Sequence, residues 1–422
     1  MKPREIWSFF SGALGLDLGF EQAGLAPTLA VELDECCCET IQKNRPEVQV
    51  LNEDVSRLNA SKLRSARNYQ GEVFLMIGGP PCQSFSPGGK RAGLSDPRGN
   101  LIYEYLRLIK DVRPQYFVFE NVANLTTAAL RHRKIEDRPG KHWNLKRYAD
   151  ARFQANSEVP ALEADELSGS AIRQLLQDID ALGYTVNFGV LDSADYGAPQ
   201  HRLRFVMLAA RDAAAPLLPS PSHGNRGLAL KPFVTVRDAI EDLRKNPGPH
   251  SKYTVEVREY FSLVPEGGNW RSLPTKLHKE ALGGAYESGG GKTGFYRRLH
   301  WDRPAPTIIG RANRKGSALC HPEFVRPLSV RECARLQGFP DEWSFAGALN
   351  RQYMQVGNAV PIPLGHAVAA KFRTDALKEQ KKNVLHPIDS DLMLENAVYR
   401  LRASARNKKS VNLGPTLFDV SV

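Results

Sequence analysis

Two side chains that can take part in catalysis follow directly after strand-like segments. Cys82 comes after an apolar run and two prolines, within the segment Gly78–Ser86. A cysteine in such a place is either a small buried hydrophobe or a thiol positioned to act as a nucleophile. Glu120 directly follows the apolar run Tyr116–Phe119. A carboxylate at the end of a central strand lies where α/β folds bind ligands, although it could equally cap a helix or form an ion pair.

Two arginines, Arg202 and Arg204, alternate within the segment Gln200–Arg204, which leads into another apolar strand. Successive side chains of an extended segment point to opposite faces, so alternate residues share one face. The pair therefore either lies on a solvated edge strand or directs two guanidinium groups into a site.

A glycine-rich segment follows the first strand-like run, Ile6–Phe10. Its glycines allow a tight turn and a close approach of the backbone to a ligand, although a plain strand–helix turn gives the same pattern. Glu32 stands at the end of the next strand-like run, where a carboxylate can accept hydrogen bonds from a ribose diol. Because the segment is neither a GxGxxG motif nor a P-loop, the two features together favour a nucleoside-containing cofactor without a bound pyrophosphate or triphosphate.

These residues need a scaffold in which strand ends converge. Through residue 125 strand-like runs alternate with amphipathic helical segments, and the alternation resumes at 171–209. The pattern predicts a doubly wound α/β fold. Residues 126–168 interrupt it as a basic insert, and after Ala215 a proline- and glycine-rich composition predicts a second, loop- and strand-rich domain.

The composition excludes several classes of protein. The chain has 422 residues, of which 42% are hydrophobic and 24% charged, as is typical of a globular protein with more than one domain. It has neither an apolar run of about 18 residues nor a signal-peptide pattern, so a membrane or exported protein is not expected. Its cysteines form no CxxC pair and its histidines no HExxH motif, so neither a disulfide scaffold nor a metal site is expected. The net charge of +11 favours an acidic partner such as nucleic acid.

Together the segments resemble the cytosine-C5 DNA methyltransferases of the bacterial restriction–modification type, which use S-adenosyl-L-methionine. The resemblance covers about residues 5–125, 170–212 and 300–370 and rests on six segments in the family's order: Phe10–Gly15, Pro80–Gln83, Glu120–Val122, Gln200–Arg204, Arg331–Pro340 and Gln355–Pro361. It implies a Rossmann-like methyltransferase domain with a mixed, mostly parallel sheet. It also implies methyl transfer to C5 of a cytosine that is flipped out of duplex DNA.

The resemblance implies a catalytic role for each matching residue. Cys82 matches the thiolate that adds to C6 of cytosine, which turns the ring into an enamine that reacts at C5. Glu120 matches the group that protonates or hydrogen-bonds N3, and Arg202 and Arg204 match the segment that holds the base and its phosphate. The implied substrate contacts also include Gln83, Ser84, Ser86, Asn121, Gln200 and Thr307.

The implied cofactor is S-adenosyl-L-methionine, with no metal. Glu32 matches the ribose ligand, Leu33 the apolar residue beside adenine, and Asp54 the carboxylate that binds the adenine amine. The other matching cofactor positions are Phe10, Gly12, Gly15, Pro80, Asn358 and Val360. Leu14 departs from the family, which usually has glycine there, so a modest change in loop geometry is expected.

The resemblance also divides the chain. Residues 1–215 and 328–373 are expected to form the catalytic domain, 216–327 the target-recognition domain, and 374–422 a basic, flexible tail. The recognition domain holds eighteen Lys and Arg against ten Asp and Glu, which favours phosphate contacts. It contains no glutamine but many arginines, so we expect a target sequence with several G·C pairs.

The expected partners are double-stranded DNA and a cognate restriction endonuclease, and the enzyme is expected to be a cytoplasmic, nucleoid-associated monomer. Two other functions remain open at this point. A tRNA cytosine-C5 methyltransferase would share the same segments, and a non-catalytic DNA-binding regulator could keep the fold. The length of the recognition region favours duplex DNA, and the presence of Cys82 and Glu120 favours an enzyme.

Overall fold

The computed structural model describes residues 4–81, 101–131, 163–224, 229–287, 294–311, 314–382 and 389–406. Strands and helices alternate in its first half, as predicted. The elements are β1 (Ile6–Phe9), α1 (Gly15–Gln22), β2 (Leu29–Glu32), α2 (Glu35–Asn44), β3 (Gln49–Asn52), α3 (Ala60–Arg67), β4 (Leu75–Gly78), α4 (Leu101–Val112), β5 (Tyr116–Val122), α5 (Ser170–Ala181), β6 (Thr185–Asp192), β7 (Gln200–His201) and β8 (Leu203–Ala210).

Seven strands of the described residues form one sheet in the order β3-β2-β1-β4-β5-β8-β6. The strands β1 to β5 pair in parallel, whereas β8 runs antiparallel to both β5 and β6. From β1 the chain moves first to β2 on one side and later to β4 on the other. The carboxyl ends of these strands therefore border a crevice, which is where open α/β sheets bind ligands. The expected mixed, mostly parallel fold is confirmed.

Burial and capping explain why these residues form these elements. All four residues of β1 are buried, as in a parallel strand covered by helices on both faces. The helix α4 buries one face, with Tyr105 and Leu108 fully enclosed. The helix α2 begins at Asp34, whose carboxylate accepts hydrogen bonds from the first free backbone N–H groups. No helix within the described ranges combines the length and apolar character that a membrane span needs.

The region after residue 215 has an apolar core of its own among residues 257–320, whereas Val236 and Ile240 pack in the cluster that contains Leu14. The elements of this region are β9 (His223–Gly224), β10 (Lys231–Pro232), α6 (Val236–Ile240), α7 (Val255–Ser262), α8 (His278–Leu282), β11 (Arg297–Arg298), β12 (Ala305–Pro306) and β13 (Leu319–Cys320). Phe261 and Tyr296 are fully buried in this core. Its described strands are two-residue pairs, so the region is more helical than its composition predicts. The side chains of Thr235 and Thr254 cap α6 and α7, a local signal that composition alone does not reveal.

The chain then returns to the large domain through α9 (Val330–Gln337), α10 (Leu349–Asn358) and α11 (Ile362–Ala369), followed by α12 (Thr374–Lys382) and α13 (Ser390–Arg406). The helix α11 crosses α1 at two glycines. A Cβ atom on Gly19 would lie 2.3 Å from the backbone nitrogen of His366, and one on Gly365 would lie 2.6 Å from the carbonyl oxygen of Leu16. Only glycine permits so close an approach of the two backbones.

The expectation of a flexible tail is wrong for residues 390–406. The helix α13 packs against the sheet domain, and its residues Met393, Leu394 and Ala397 are buried. Arg400 Nη1 also lies 3.0 Å from Asp195 Oδ2. The apolar residues recur at the helical spacing of three and four, a pattern that the high charge of this segment obscured.

Replacing the buried Leu394 by alanine tests this packing. We expect Leu394→Ala to lower the free energy of unfolding by about 2–3 kcal/mol, because it leaves a cavity between α13 and the sheet. Leu392, two residues earlier on the same helix, is 43% exposed, so Leu392→Ala should cost less than about 0.5 kcal/mol. Urea unfolding of the two variants measures the difference. Equal costs would show that α13 does not pack on the domain in solution.

Candidate active site

A cavity of about 630 Å³ opens at the carboxyl ends of β1, β2, β4 and β5. All nine residues that the sequence assigns to the cofactor line it: Phe10, Gly12, Gly15, Glu32, Leu33, Asp54, Pro80, Asn358 and Val360. The cavity also includes Glu120, Asn121, Arg202 and Arg204. Cys82, Gln83, Ser84 and Ser86 lie outside the described residues. Residues from seven separate segments of the chain thus meet at one place.

The carboxylate of Glu32 joins two loops of the cavity. Its Oε2 accepts a hydrogen bond from the backbone N–H of Gly12 at 2.7 Å, and its Oε1 accepts from Leu33 and Asp34 at 2.9 Å each. Each carboxylate oxygen has about two lone-pair positions, so Oε1 is fully used by the protein and Oε2 retains one position for a ligand. The three N–H groups hold the side chain in one orientation, which favours binding of a ligand hydroxyl group at Oε2.

Leu14 adopts the left-handed conformation that the family's usual glycine would take without strain. Its φ angle is 62°, and Phe10 and Gly12 in the same loop also have positive φ angles. For leucine this conformation costs about 1–2 kcal/mol. Leu14 is only 1% exposed within an apolar cluster, and burial of a leucine side chain returns about 1.5–3 kcal/mol. The loop therefore keeps the turn that glycine would make, and packing offsets the strain.

Gly15 lies where α1 meets the segment after α10. A Cβ atom on Gly15 would lie 2.6 Å from the carbonyl oxygen of Val360 and 2.8 Å from Cβ of Ala359. Glycine is therefore required if Asn358 and Val360 are to reach the loop that carries Gly12. The two most distant parts of the chain that line the cavity meet at this contact.

Two further side chains form the outer rim beyond Glu32. Leu33 is 66% exposed, which is unusual for a leucine and leaves an apolar surface at the cavity edge. The amide of Asn52 holds this position by donating to the carbonyl oxygens of Glu32 and Leu33. Hydrogen bonds from Ser56 lower the pKa of Asp54, so this rim carboxylate is ionised at neutral pH. An apolar surface beside a carboxylate is suited to a planar heterocycle with an exocyclic amine.

A buried ion pair lies on the opposite side of the cavity. Arg204 Nε is 2.8 Å from Glu120 Oε1, without the alignment of a directed hydrogen bond. Burial raises the pKa of Glu120, and the positive charges of Arg204 and Arg202 oppose the rise. Proton exchange at this carboxyl group is thus set by two opposing effects. A group balanced in this way can donate a hydrogen bond when protonated and accept one when ionised.

Arg202 has a different environment from Arg204. Its Nη1 donates to the carbonyl oxygen of Ile308 at 2.8 Å, and its Nη2 donates to that of Gly357 at 2.9 Å. Arg202, between β7 and β8, therefore connects the sheet to the segment after β12 and to the end of α10. Of the two arginines, Arg204 is the one whose charge faces the buried carboxyl group.

Asn121 ties the end of β5 to the chain that leads to Cys82. Its side-chain amide donates to the carbonyl oxygen of Pro80 at 3.0 Å, and its Oδ1 accepts from the N–H of Val122. The described chain is thus held two residues before the cysteine. A carboxyl group on β5 and the segment after β4 are brought next to each other by the parallel pairing of these strands.

Two residues expected to contact substrate do not line the cavity. Gln200 is fully buried, and its amide donates to the carbonyl oxygen of Leu336 and to Gln337 Oε1. Thr307 Oγ1 donates to the carbonyl oxygen of His201 at 2.8 Å. Gln200 thus joins β7 to α9, and its Oε1 also accepts a hydrogen bond from the N–H of Ile308, while Thr307 joins the segment after β12 to β7.

Arg351 and Asp17 are two of the cavity-lining residues that were not identified from the sequence. Arg351 on α10 lies 2.7 Å from Asp34 Oδ2, so an ion pair spans the rim between α10 and α2. Asp17 lies in the first turn of α1 and is 2% exposed. The signal for Asp17 was present in the glycine-rich segment itself, because an acidic residue interrupts its apolar face.

Comparison with known proteins agrees with this geometry. The family model of the C-5 cytosine-specific DNA methylases matches residues 5–136 and 159–374. The chain is 36% identical over 388 residues to the Type II methyltransferase M.Eco47II of Escherichia coli, covering 91% of this chain and 79% of the relative. It is 34% identical over 369 residues to M.PspPI of Psychrobacter sp. (strain TA137), covering 85% and 76%. It is 33% identical over 366 residues to M.Sau96I of Staphylococcus aureus, covering 86% and 74%.

Solved structures share the fold at lower identity. A protein described as a DNA modification methyltransferase encoded within a prophage (E. coli) is 22% identical, with a TM-score of 0.56 over 89% of this chain and 99% of the other. The Entamoeba histolytica methyltransferase EhMeth is 15% identical, with a TM-score of 0.50 over 89% and 99%. The expected activity is confirmed by the family match and the relatives, whereas these structures support the fold alone. The chain therefore belongs to the C-5 cytosine-specific DNA methylase family and is a DNA (cytosine-5-)-methyltransferase.

Proposed function

We propose that the chain transfers the methyl group of S-adenosyl-L-methionine to C5 of a cytosine flipped out of duplex DNA, with Cys82 as the nucleophile. One observation carries the proposal. The residues suited to a nucleoside and the Glu120–Arg204 ion pair share a single cavity, so both reactants can meet there. When bound, S-adenosyl-L-methionine supplies the electrophilic methyl group.

The residues present fit this cofactor. Glu32 would accept a hydrogen bond from a ribose hydroxyl group at Oε2, because this oxygen keeps a free lone-pair position and backbone N–H groups fix the carboxylate. Leu33 would cover the adenine ring, and Asp54 would accept a hydrogen bond from the exocyclic amine. Gly12 and Gly15 leave the loop after β1 without side chains, which allows close approach of the methionine part.

The chain's own groups would then act on the base. The Cys82 thiolate attacks C6, and a C–S bond forms while electron density moves towards N3 and C5. Glu120, protonated, donates to N3 and so stabilises the charge that develops there. After C5 has gained the methyl group, loss of the C5 proton and of the cysteine restores the aromatic ring. The flipped base costs a few kcal/mol in lost stacking, which contacts in the pocket and to phosphates offset.

The partners follow from chemistry and from the relatives. Three relatives bear names of Type II methyltransferases, and we infer that this chain likewise protects DNA against a cognate restriction endonuclease. Residues 216–327, with their excess of positive charge, are the proposed target-recognition domain. Some of that charge is used internally, because Arg237 pairs with Asp302 and Arg244 with Glu323. We propose a monomeric enzyme that acts on DNA in the cytoplasm.

Replacing Cys82 tests the nucleophile. The wild-type protein should form a denaturation-resistant complex with duplex DNA that carries 5-fluorocytosine at the target, because fluorine at C5 cannot leave as a proton does. Cys82→Ser should form none and should lose methyl transfer, since a serine hydroxyl is rarely ionised at neutral pH. Cys36→Ser, at a partly exposed cysteine of α2, is the matched control and should behave as wild type. A complex formed by Cys82→Ser would refute the assignment.

Replacing Arg204 tests the electrostatics at Glu120. Arg204→Met removes a charge that opposes the raised pKa of Glu120, so this pKa should rise further. If protonated Glu120 assists the reaction, activity falls as pH rises through its pKa, and the alkaline limb of the pH–rate profile should move to higher pH. The maximal rate should fall about 100-fold, because a positive charge beside the reacting base is lost.

Single-turnover methyl transfer measured across a pH series provides the readout. Arg211→Met, just beyond the same strand, removes a charge whose partners are Glu72 and Asp212, remote from the cavity, and should leave the profile unchanged. An alkaline limb in Arg204→Met that stays in place or moves to lower pH contradicts the role proposed for Glu120.

The target sequence can be read directly. Bisulfite sequencing of DNA from cells that express the protein should reveal 5-methylcytosine in one short motif with several G·C pairs, because arginine is the main side chain available for base readout in residues 216–327. Transfer RNA from the same cells should carry no new 5-methylcytosine. A motif with only A·T pairs around the cytosine would contradict the arginine-based readout, and modified tRNA would contradict the DNA substrate.

A further inference from the structure

Asp17 is a buried carboxyl group with an unsatisfied oxygen in the wall of the cavity. It is the third residue of α1, is 2% exposed and lines the cavity. Its Oδ1 has no hydrogen-bond partner, and no cation among the described residues forms an ion pair with it. Burial of an acceptor without a partner costs about 1–3 kcal/mol, so the position is unfavourable for the isolated chain.

Other carboxylates around the cavity do have partners within the described part of the chain. Glu32 accepts three backbone N–H groups, Asp34 pairs with Arg351, and Glu120 pairs with Arg204. The contrast singles out Asp17. A negative charge in the first turn of a helix interacts favourably with the helix dipole. An exposed acidic side chain would gain this interaction without the cost of burial, so the dipole does not explain why Asp17 is buried.

The position of Asp17 along the sheet indicates which part of a ligand it would meet. The adenosine-binding candidates are Glu32, the last residue of β2, and Asp54, which follows β3, whereas Glu120 lies on β5. Asp17 interacts with Ser8 of β1 and with Tyr105 of α4, which places it between these two ends of the cavity. In S-adenosyl-L-methionine the amino-acid part extends from the ribose. Its sulfonium carries no N–H, so the ammonium is the cationic group that can satisfy an acceptor.

We propose that Asp17 binds the ammonium group of the methionine part of S-adenosyl-L-methionine, an inference that rests on the proposed cofactor. Asp17 is then a specificity-determining residue that distinguishes a complete cofactor from adenosine derivatives without an amino group. The desolvation cost carried by the isolated chain is recovered when the ligand's N–H groups arrive. Part of the binding free energy therefore depends on the amino group of the ligand.

The raised pKa of Asp17 is consistent with this assignment. Burial raises the pKa of Asp17 to about 7, opposed by a hydrogen bond from Ser8 and reinforced by the negative charge of Glu21 on the same helix. Tyr105, the titratable group that faces it from α4, is neutral at this pH because burial raises its own pKa well above the usual value. An ammonium group favours ionised Asp17, so ligand binding should lower this pKa and release part of a proton at pH 6.5.

Ligands that differ at the amino-acid end test the proposal. S-adenosylhomocysteine and its decarboxylated analogue keep the amine, whereas 5′-deoxy-5′-methylthioadenosine lacks the whole amino-acid part. We expect Asp17→Asn to weaken binding of the two amine-containing ligands about tenfold or more, as for loss of a hydrogen bond between charged groups. Affinity for methylthioadenosine should stay within twofold. Isothermal calorimetry of the full chain without DNA measures all three.

The three ligands also report on whether the variant is folded. Retained affinity for methylthioadenosine shows an intact adenosine site, so a selective loss cannot come from misfolding. An equal loss for all three ligands, no loss for any, or a gain for S-adenosylhomocysteine would overturn the proposal. If wild type bound none of the ligands, the proposed cofactor itself would fail, which is a distinct result.

The wild-type chain offers a second test that needs no variant. Calorimetry at pH 6.5 in buffers with different ionisation enthalpies measures the protons released on binding. We expect release with S-adenosylhomocysteine and with its decarboxylated analogue, and none with methylthioadenosine. Equal proton release for all three ligands, or proton uptake with the amine-containing ones, would contradict an ionic contact between Asp17 and the ammonium.

Discussion

The contact between α1 and residues 359–366 is the constraint on which the cavity depends. At Gly15 and Gly19 the backbone of α1 comes so close to residues 359–366 that a Cβ atom would lie 2.3–2.8 Å from neighbouring atoms. This contact brings Asn358 and Val360 to the loop after β1, although several hundred residues separate them in the chain. The cavity has two walls because these two segments can touch.

A set of buried polar side chains stabilises the same arrangement from the other side. Arg202 donates to the carbonyl oxygens of Ile308 and Gly357, and Gln200 donates to that of Leu336. These buried backbone carbonyls need such partners, because an unsatisfied polar group costs about 1–3 kcal/mol. The segment around Ile308 is thereby held next to Arg202, which lines the cavity. Gln200 and Arg202 match active-site positions of the family in sequence, and their hydrogen bonds hold together the segments that form the cavity.

Much of the fold could be predicted from the sequence because the strands of a parallel sheet are short, apolar and separated by helices. The residues at the strand ends, such as Glu32 and Glu120, could be found for the same reason, since parallel strands bring their carboxyl ends to one edge. Contacts between segments that are distant in the chain could not be predicted, because local sequence patterns carry no information about them. The partners of Arg202, the ion pair of Arg351 with Asp34, and the docking of α13 each join residues far apart in the chain.

Contacts between segments far apart in the sequence also determine when the cavity can form during protein synthesis. The strand β1 lies inside the sheet, between β2 and β4, and is synthesised before the other strands of this sheet, yet the wall of the cavity that faces it includes Asn358 and Val360. Arg4, beside β1, likewise finds its partners at Phe372 and Thr374. The cavity therefore has both of its walls only after residue 360 has been synthesised. Shorter chains, even those that already contain Glu120 and both arginines, lack this second wall, so the cavity is completed late in synthesis.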